Sequence, residues 1–406
     1  MGKTSLRITI VGNFGLSNKA TMSARAMPIA HALAELGHQV TVILPADSPD
    51  PPALATSDGI RLILLGRGRA RSFPGQLACG LRLTSVALRT CPDVLYAFKP
   101  KAYAGLSLLA FWLWRQLGLI TTTIVLDTDD WEGKGGWADR DHASAWQRLL
   151  VSWHERWCLS HADLVTVASR ELERLAAAEG ATTVYTPNAA SPFSPGWEPG
   201  DGRAIRESLA IGNRPVVLAY TRFVEFAPRR LVEVFAQIHR RRPEACFLVV
   251  GKGLGGEEEE FTQLVSEFGL HEVVHQVGWV PASELPNYLA AADVAVYLLD
   301  DTLLNRAKCL MKLVDLLLAG VPIVADAVGQ ANEYIQNDKT SLLVSPGDIE
   351  AMAQRVVDLL DNPERRCRLG QAARAHLLRD WTWESQAAVV VDSMMKRHYL
   401  RDEEEA

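Results

Sequence analysis

"KCLMKLVDLLLAGVPIVADAVGQANEYIQND" runs from Lys308 to Asp338. Lys312 and Asp315 stand three residues apart in an apolar run of helical period, so they share a helix face. Gly320 suits a helix end, and Pro322 prevents continuation. "VPIVAD" then reads as a short buried strand. Gly329 permits a sharp turn before Glu333, where the start of a helical turn would offer backbone N–H groups to a phosphate. The stretch is therefore helix, strand, loop and helix. Taken alone, it also fits a plain helix–strand–helix unit with solvated charges.

The same alternation extends in both directions. Upstream, "RPVVLAYT", "ACFLVVGKG", "VVHQVGWV" and "DVAVYLL" read as strands between helical runs such as "RRLVEVFAQIHRRRP" and "EEEEFTQLVSEFG". The first half holds a second series, with "RITIVGNFG", "QVTVILPA", "IRLILLG", "DVLYAF", "TTTIVLDTDD" and "DLVTVAS" as strands. "SARAMPIAHALAELGH" and "HASAWQRLLVSWHERWCLSHA" are the clearest helices between them. Strands alternating with helices imply parallel β-α-β units. "NAASPFSPGWEPGDG" separates the two series as a linker. A chain of 406 residues is too long for one ordinary core. The expected fold class is α/β: two Rossmann-like doubly wound domains, residues 1–195 and 205–383, facing a central cleft. Ligands bind such sheets outside the carboxyl ends of the strands.

Composition narrows the function. The net charge of -6 argues against a nucleic-acid partner. The six cysteines are scattered with no CxxC pair, which argues against zinc and for reduced thiols in a cytoplasmic protein. The N-terminus lacks the pattern of a secretory signal. "AGLSLLAFWLWRQLGLI", Ala104 to Ile120, is short for a membrane span and Arg115 interrupts it. It reads as a buried helix on a sheet, the alternative being a membrane-facing helix with Trp112 and Trp114 at the interface.

Taken in order, these motifs resemble the retaining glycosyltransferases of the two-Rossmann-domain type known as family 4, with the GT-B fold. The family pattern of an acid, a short helix, A-G-x-P-V-V-A and G-x-x-E-x-I stands here as "DLLLAGVPIVADAVGQANEYI". "TSLLVSPGDIEAMAQRV", "YTRFVEFAPRR", "VVGKG", "GWVPASELPNYLAAADVAV", "LAELGHQVTV", "ADLVTVAS" and "TPNAA" occupy the places of further family motifs. The resemblance covers nearly the whole chain and implies a metal-independent transfer of a sugar from a nucleotide-diphosphate sugar, a UDP- or GDP-sugar, to an acceptor hydroxyl, with no other cofactor. It further implies that the second domain binds the donor, the first binds the acceptor, and the last helix, about residues 384–406, packs back on the first domain.

Carried over residue by residue, the resemblance gives Asp315 the ribose hydroxyls, which a carboxylate can accept together. Arg222, with Arg229 or Arg230, clamps the diphosphate, and two cations stabilise the leaving charge without a metal. Gly253, Gly329, Gln330, Ala331 and Glu333 join the donor-binding set, and the Gly278–Val280 segment, with Val280, lies against the base. Two departures stand out. The family's second acid, eight residues before Asp315, is Ala307 here. Lys312 fits a subtype with lysine three residues before the acid, and is assigned both donor-binding and catalytic roles.

The residues themselves add a second group. Gly12 and Gly15 form a loop after the first strand that can approach a diphosphate. Thr21 or Ser23 could cap the helix that follows. Lys19 and Arg25 sit near the positive end of this helix, an odd place for cations that suggests a nearby anion. They are acceptor-binding candidates together with Lys99, while Arg67, Arg69 and Arg71 read as surface charge. "DTDD", Asp127 to Asp130, is a metal-type triplet by spacing. Within a metal-independent family, Asp127 and Asp129 become catalytic candidates that orient, or take a proton from, an acceptor hydroxyl. His154 and His161 read as structural. The basic loops suggest an acceptor that bears phosphate or lies at a membrane surface, the latter placing the enzyme at the inner membrane face, while the sequence leaves open whether it is a lipid, a polysaccharide or a small molecule. A nucleotide-sugar epimerase or phosphorylase on the same fold, or a non-catalytic binding protein, are the alternatives.

Overall fold

A computed structural model describes residues 5–16, 21–46, 53–57, 59–66, 73–140, 144–191, 194 and 197–405. Lys19, Arg67, Arg69 and Arg71 lie outside the described residues. The chain divides into two compact units. The first comprises Met1–Asn188, Ala307–Cys309 and Trp383–Ala406; the second comprises Ala189–Arg306 and Leu310–Thr382.

The first unit is built on eight strands: β1 (Arg7–Val11), β2 (Gln39–Pro45), β3 (Ala53–Ser57), β4 (Ile60–Leu65), β5 (Val94–Phe98), β6 (Thr123–Thr128), β7 (Leu164–Val167) and β8 (Thr183–Tyr185). Their order in the sheet is β3-β4-β2-β1-β5-β6-β7-β8. All neighbours pair in parallel except β3 with β4. β5 and β6 are buried along their whole length, as continuous apolar runs covered on both faces must be. Helices Phe73–Arg89, Ala102–Gln116 and Ala145–His161 form one covering layer, each packed on the next. Helix Met27–Glu35 packs against the terminal helix Trp383–Glu405, which also contacts β6, β7 and β8. Strand order reverses between β1 and β5, so the loops leaving these two strands part and open a crevice.

The second unit holds β9 (Val216–Tyr220), β10 (Cys246–Val250), β11 (Val274–Gly278), β12 (Val294–Tyr297), β13 (Ile323–Asp326) and β14 (Leu342–Val344). They form a fully parallel sheet in the order β11-β10-β9-β12-β13-β14. One face buries an aromatic cluster in which Phe235 stacks on Phe247 with ring centroids 4.3 Å apart. The other face buries Leu313, Val314, Leu316 and Leu317 of helix Met311–Leu318. Here the order reverses between β9 and β12.

Three differences from the sequence reading have local causes. β3 follows a proline-rich stretch of sequence and pairs antiparallel at the sheet edge, so "ALATS" has no core-strand pattern. The first helix of the chain opens with a π-turn, Met22–Ala26, in which Thr21 makes no capping hydrogen bond. The apolar run from Ala104 ends its helix at Gln116; Ala104, Ser107, Leu108 and Phe111 face inward while Leu113 and Trp114 are exposed. Trp112 packs edge-on against Trp157 at 5.5 Å in the seam between two helices.

Gly251, directly after β10, has φ +121, and a Cβ there would lie 1.8 Å from the Thr221 carbonyl oxygen. Gly118 has φ +68 but open space around it. Gly251→Ala is therefore expected to cost about 3 kcal/mol or more, against about 1 kcal/mol for Gly118→Ala, measured by denaturant unfolding.

Candidate functional site

In the first unit the acidic triplet leaves β6 at the sheet's carboxyl edge, and its members diverge. Asp127 is fully buried. Its Oδ1 accepts from Arg25 Nε at 2.8 Å, and its Oδ2 accepts from Arg25 Nη2 at 2.6 Å and Thr166 Oγ1 at 2.7 Å. Arg25 Nη1 donates onward to Asn188 Oδ1 at 3.1 Å. Arg25 is 1% exposed, which leaves it no surface with which to meet an acceptor. Its odd position at a helix start is answered from within the fold by Asp127. Arg25 and Thr166 together engage both Asp127 oxygens.

Asp129 accepts from Thr21 Oγ1 at 3.0 Å and lies 3.0 Å from Lys99 Nζ. Lys99 also donates to Asp130 at 2.8 Å and to Glu132 at 3.3 Å. Lys99 is buried with φ +73, in the loop leaving β5 at the point where strand order reverses. An L-residue held in that region stores strain, and such residues cluster at functional sites. Burial works against the Lys99 charge, but Asp129, Asp130 and Glu132 more than offset it and raise its pKa well above the usual value. Burial raises Asp129. Burial also opposes Asp130, but Lys99 and Lys308 outweigh it, so Asp130 is lowered. Lys101 pairs with Glu132. Glu155 accepts the amides of Glu132 and Gly133 at 2.8 Å each, and burial pushes its carboxyl up to about 8. Among the described residues no group of three His, Cys, Asp or Glu side chains has the arrangement to hold a metal.

Sequence reasoning missed Asn13. It lies buried beside Gly15 and bridges the loop leaving β1 to the loop leaving β5, donating to Phe98 O at 3.2 Å and accepting from Ala104 N at 2.8 Å. An amide in a glycine loop was the available signal. Ala307 is fully buried and its carbonyl accepts from Ser169 Oγ at 2.8 Å, while the Cys309 amide donates to Asp129 O at 3.1 Å. His154 packs on Gly105, where a Cβ would lie 2.4 Å from its ring.

In the second unit the reversal between β9 and β12 frames a cavity of about 10 Å³, room for one water. Tyr220, Thr221, Glu225, Tyr297 and Lys312 are among its lining residues. Lys312 Nζ lies 5.6 Å from the centre of the Tyr220 ring. One turn further along the same helix, Asp315 is buried and its Oδ1 has no hydrogen-bond partner. Burial raises the Asp315 carboxyl well above the usual range, with Lys312 pulling the other way. Arg222 follows β9 and its Nε is also buried without a partner. The next residue, Phe223, has φ +57, so this loop too is strained at the reversal point. Glu225 was not singled out in the sequence. Its carbonyl accepts from Asn305 Nδ2 at 2.7 Å and from the Asp300 amide at 2.9 Å, tying together the loops that leave β9 and β12.

The remaining donor-binding candidates are placed differently from one another. Arg230 donates to both oxygens of Asp326 at 2.6 Å and to Asp300 at 2.8 Å, and Asp326 also accepts the Leu299 amide at 2.7 Å. Arg229 lies 3.6 Å from Glu267 with its guanidinium 5.8 Å from the Phe268 ring centre. Arg230 is thus held by the protein, whereas Arg229 remains exposed in a loose surface pair, so of the two candidates for the clamp only Arg229 stays open. A Cβ on Gly329 would lie 2.7 Å from the Arg306 backbone, so the glycine serves close packing. Gln330 and Ala331 are fully buried, Gln330 accepting from the Leu310 amide at 3.0 Å. The amides of Ala331, Asn332 and Glu333 bond to carbonyls three residues back. Glu333 is half-buried. The Gly253 amide donates to Glu258 at 3.0 Å, and Val280 is a partly buried neighbour of the leucine-rich core.

Two variants test this electrostatic reading. Arg25→Met leaves a buried carboxylate alone and is expected to cost about 3–5 kcal/mol, with much of the loss recovered by adding Asp127→Leu, in urea unfolding. Asp315 behaves in the opposite sense. Its raised native pKa means that folding takes up a proton, so the free protein loses stability as pH rises above about 4. Asp315→Asn should therefore melt higher than the parent at pH 8, by about 1–3 kcal/mol, with the gap closing towards pH 4 in calorimetry.

Both halves of the chain match known domain families. Residues 214–362 match glycosyl transferases group 1, and residues 20–189 match the glycosyl transferase 4-like domain. A GDP-mannose-dependent alpha-(1-6)-phosphatidylinositol monomannoside mannosyltransferase of Mycolicibacterium smegmatis is 31% identical over 50% of this chain and 53% of its own. The protein of the same name from Mycobacterium tuberculosis is 30% identical over 57% of this chain and 61% of its own. The chain thus matches little more than half the length of these relatives. Among solved structures, sucrose-phosphate synthase from Thermosynechococcus elongatus superposes with a TM-score of 0.72 at 22% identity, covering 96% of this chain and 98% of that one. HepE of Anabaena in complex with UDP gives 0.70 at 17% identity, over 96% and 100%. The fold is that of the two-domain GT-B glycosyltransferases, and the chain belongs to the glycosyltransferase family that joins a 4-like domain to a group 1 domain.

Proposed function

We propose that the chain transfers a sugar from a nucleotide-diphosphate sugar to an acceptor hydroxyl, with retention at the sugar carbon and without a metal ion. The observation that carries this reading is Asp315, a buried carboxylate with a partnerless oxygen one helical turn from Lys312. Buried acceptors left open in a native fold call for an explanation, and a pair of ribose hydroxyls is a matching set of donors. Arg222 and Lys312 are the cations offered to the diphosphate, with Arg229 exposed nearby in sequence and Arg230 engaged by Asp326. As the bond from the sugar carbon to the diphosphate breaks, these cations stabilise the charge left on the phosphate. The acceptor oxygen bonds to the same face of that carbon, and its proton passes to the leaving diphosphate. The relatives' names make GDP-mannose the first donor to test and a phosphatidylinositol-type lipid the first acceptor class. An acceptor of that kind would bring the protein to a membrane surface, where it would act as a peripheral protein.

A non-catalytic role is the second reading, favoured by Ala307, which is fully buried where the family pattern places an acid. Thermal unfolding with GDP-mannose, UDP-glucose and ADP-glucose, each with and without EDTA, tests the donor site. One nucleotide sugar at a hundredfold over its Kd should stabilise the protein by about 2.7 kcal/mol. The shift should persist in EDTA and disappear in Asp315→Ala. A shift that requires magnesium would reject metal independence, no shift would reject the donor site, and binding without any turnover would favour the non-catalytic reading.

A further inference from the structure

Helix Ala145–His161 begins with a capping box between Ser144 and Gln147, and its first six residues are all exposed. Its buried residues, Glu155, Cys158 and Leu159, lie in the second half. Isolated helical turns draw little stability from propensity and normally depend on packing. The exposed half nevertheless carries Trp146, Leu149, Leu150 and Trp153, spaced i, i+3, i+4 and i+7. Trp146 is 71% exposed and Trp153 57%. An apolar stripe of this kind ordinarily faces a core; this one faces outward.

Other exposed apolar residues lie at the same end of the layer. In the covering layer, Gly80 packs on Tyr103 and Leu106, while Gly105 packs on His154. Those contacts bring the first turns of the Phe73–Arg89 helix to the same end of the layer as the stripe. There Leu77 and Leu81, four residues apart, are also exposed. The charge of the layer is one-sided. Its three helices carry Arg82, Arg89, Arg148 and Arg156, besides a largely buried Arg115 held by Asp163, and their only acid is the buried Glu155. The chain as a whole has a net charge of -6. Lys134 is exposed next to the stripe, its backbone amide held by Ser152 Oγ at 3.0 Å. Arg148 and Arg156 reach surface acids only at 3.7 and 3.3 Å, and both remain exposed.

We propose that the Trp146–Trp153 stripe, with Leu77 and Leu81 at the same end of the layer, is a docking face for an anionic phospholipid bilayer. Tryptophan suits the boundary between headgroups and acyl chains, where the ring is buried and its N–H stays wet. Leucines add buried apolar area, and a basic surround with no exposed acid on the helices complements anionic headgroups. No helix among the described residues is long and apolar enough to cross a membrane, so the contact is at the interface. The surface deepens the lipid-acceptor reading and rests on it only for its purpose, since vesicle binding needs neither donor nor acceptor.

The test is flotation of the full chain with phosphatidylcholine vesicles, with and without phosphatidylglycerol, at low and high salt. The protein should float with the anionic vesicles at low salt, and at least tenfold less with neutral vesicles or at high salt. Trp146→Ser with Trp153→Ser should reduce anionic-vesicle binding at least tenfold, and Lys134→Glu by roughly fivefold or more. Because these residues are exposed, melting temperature and nucleotide-sugar stabilisation should stay at the parent values, which separates failure of this face from failure of the donor site. Absence of vesicle binding, or equal binding by parent and double variant, overturns the proposal. A lipid-free dimer that the double variant abolishes would also overturn it and assign the face to a second copy of the chain.

Discussion

A carboxylate that ends a buried strand must be matched by a positive charge, and this requirement organises both units. Asp127 is the penultimate residue of β6 and is met by Arg25; Asp326 is the last residue of β13 and is met by Arg230. In each case the arginine comes from the start of a helix, next to the carboxyl edge of the sheet. In each case the aspartate also accepts a second donor, Thr166 Oγ1 for Asp127 and the Leu299 amide for Asp326. The desolvation cost of a charge in such a place is several kcal/mol, and only a complete set of partners offsets it. The helix start is thereby fixed against the strand end, and the loops between them take their shape from that constraint.

The same constraint decides which charged residues remain open to a ligand. Arginines that anchor the fold cannot also clamp a substrate, so Arg25 and Arg230 are withdrawn from the candidate set by the partners they hold. Asp315 has the reverse character. It is buried, it faces only the partial relief of Lys312, and one of its oxygens has no donor. Stability is lower for keeping it, as expected of a group retained for what it binds rather than for what it holds together. Two residues in left-handed conformations, Lys99 and Phe223, lie in loops leaving strands at the two reversal points. At these two loops, and at Asp315, strain and incomplete pairing meet the sheet ends where ligands bind such folds.

Lys99 joins several features that the sequence showed only as separate charges. Asp129, Asp130 and Glu132 converge on its ammonium, and Lys101 meets Glu132 from the side. Spacing alone made the triplet look like a ligand set for a divalent ion. Folding instead gives Asp127 to Arg25 and gives Asp129 and Asp130 to Lys99. The members of a triplet at a strand end point in different directions, because side chains alternate across the strand and the chain then turns away.

Periodicity and punctuation in the sequence determined the two alternating series, the long helices and most of the core strands, because apolar spacing reports burial directly. The edge strands β3 and β14, and the π-turn at Met22–Ala26, were not legible, since pairing at an edge and a local change of helical pitch leave little trace in composition. At the site, the pairing of Lys312 with Asp315 on one helix face was readable, because three-residue spacing is a local geometric fact. Which arginine was anchored and which acid stood unpaired was decided only by tertiary structure. Arg25 and Asp127 are 102 residues apart, and Arg230 and Asp326 are 96 apart. Charge neutralisation across such distances depends on which strand ends lie side by side, and the order of strands in the sheet settles that.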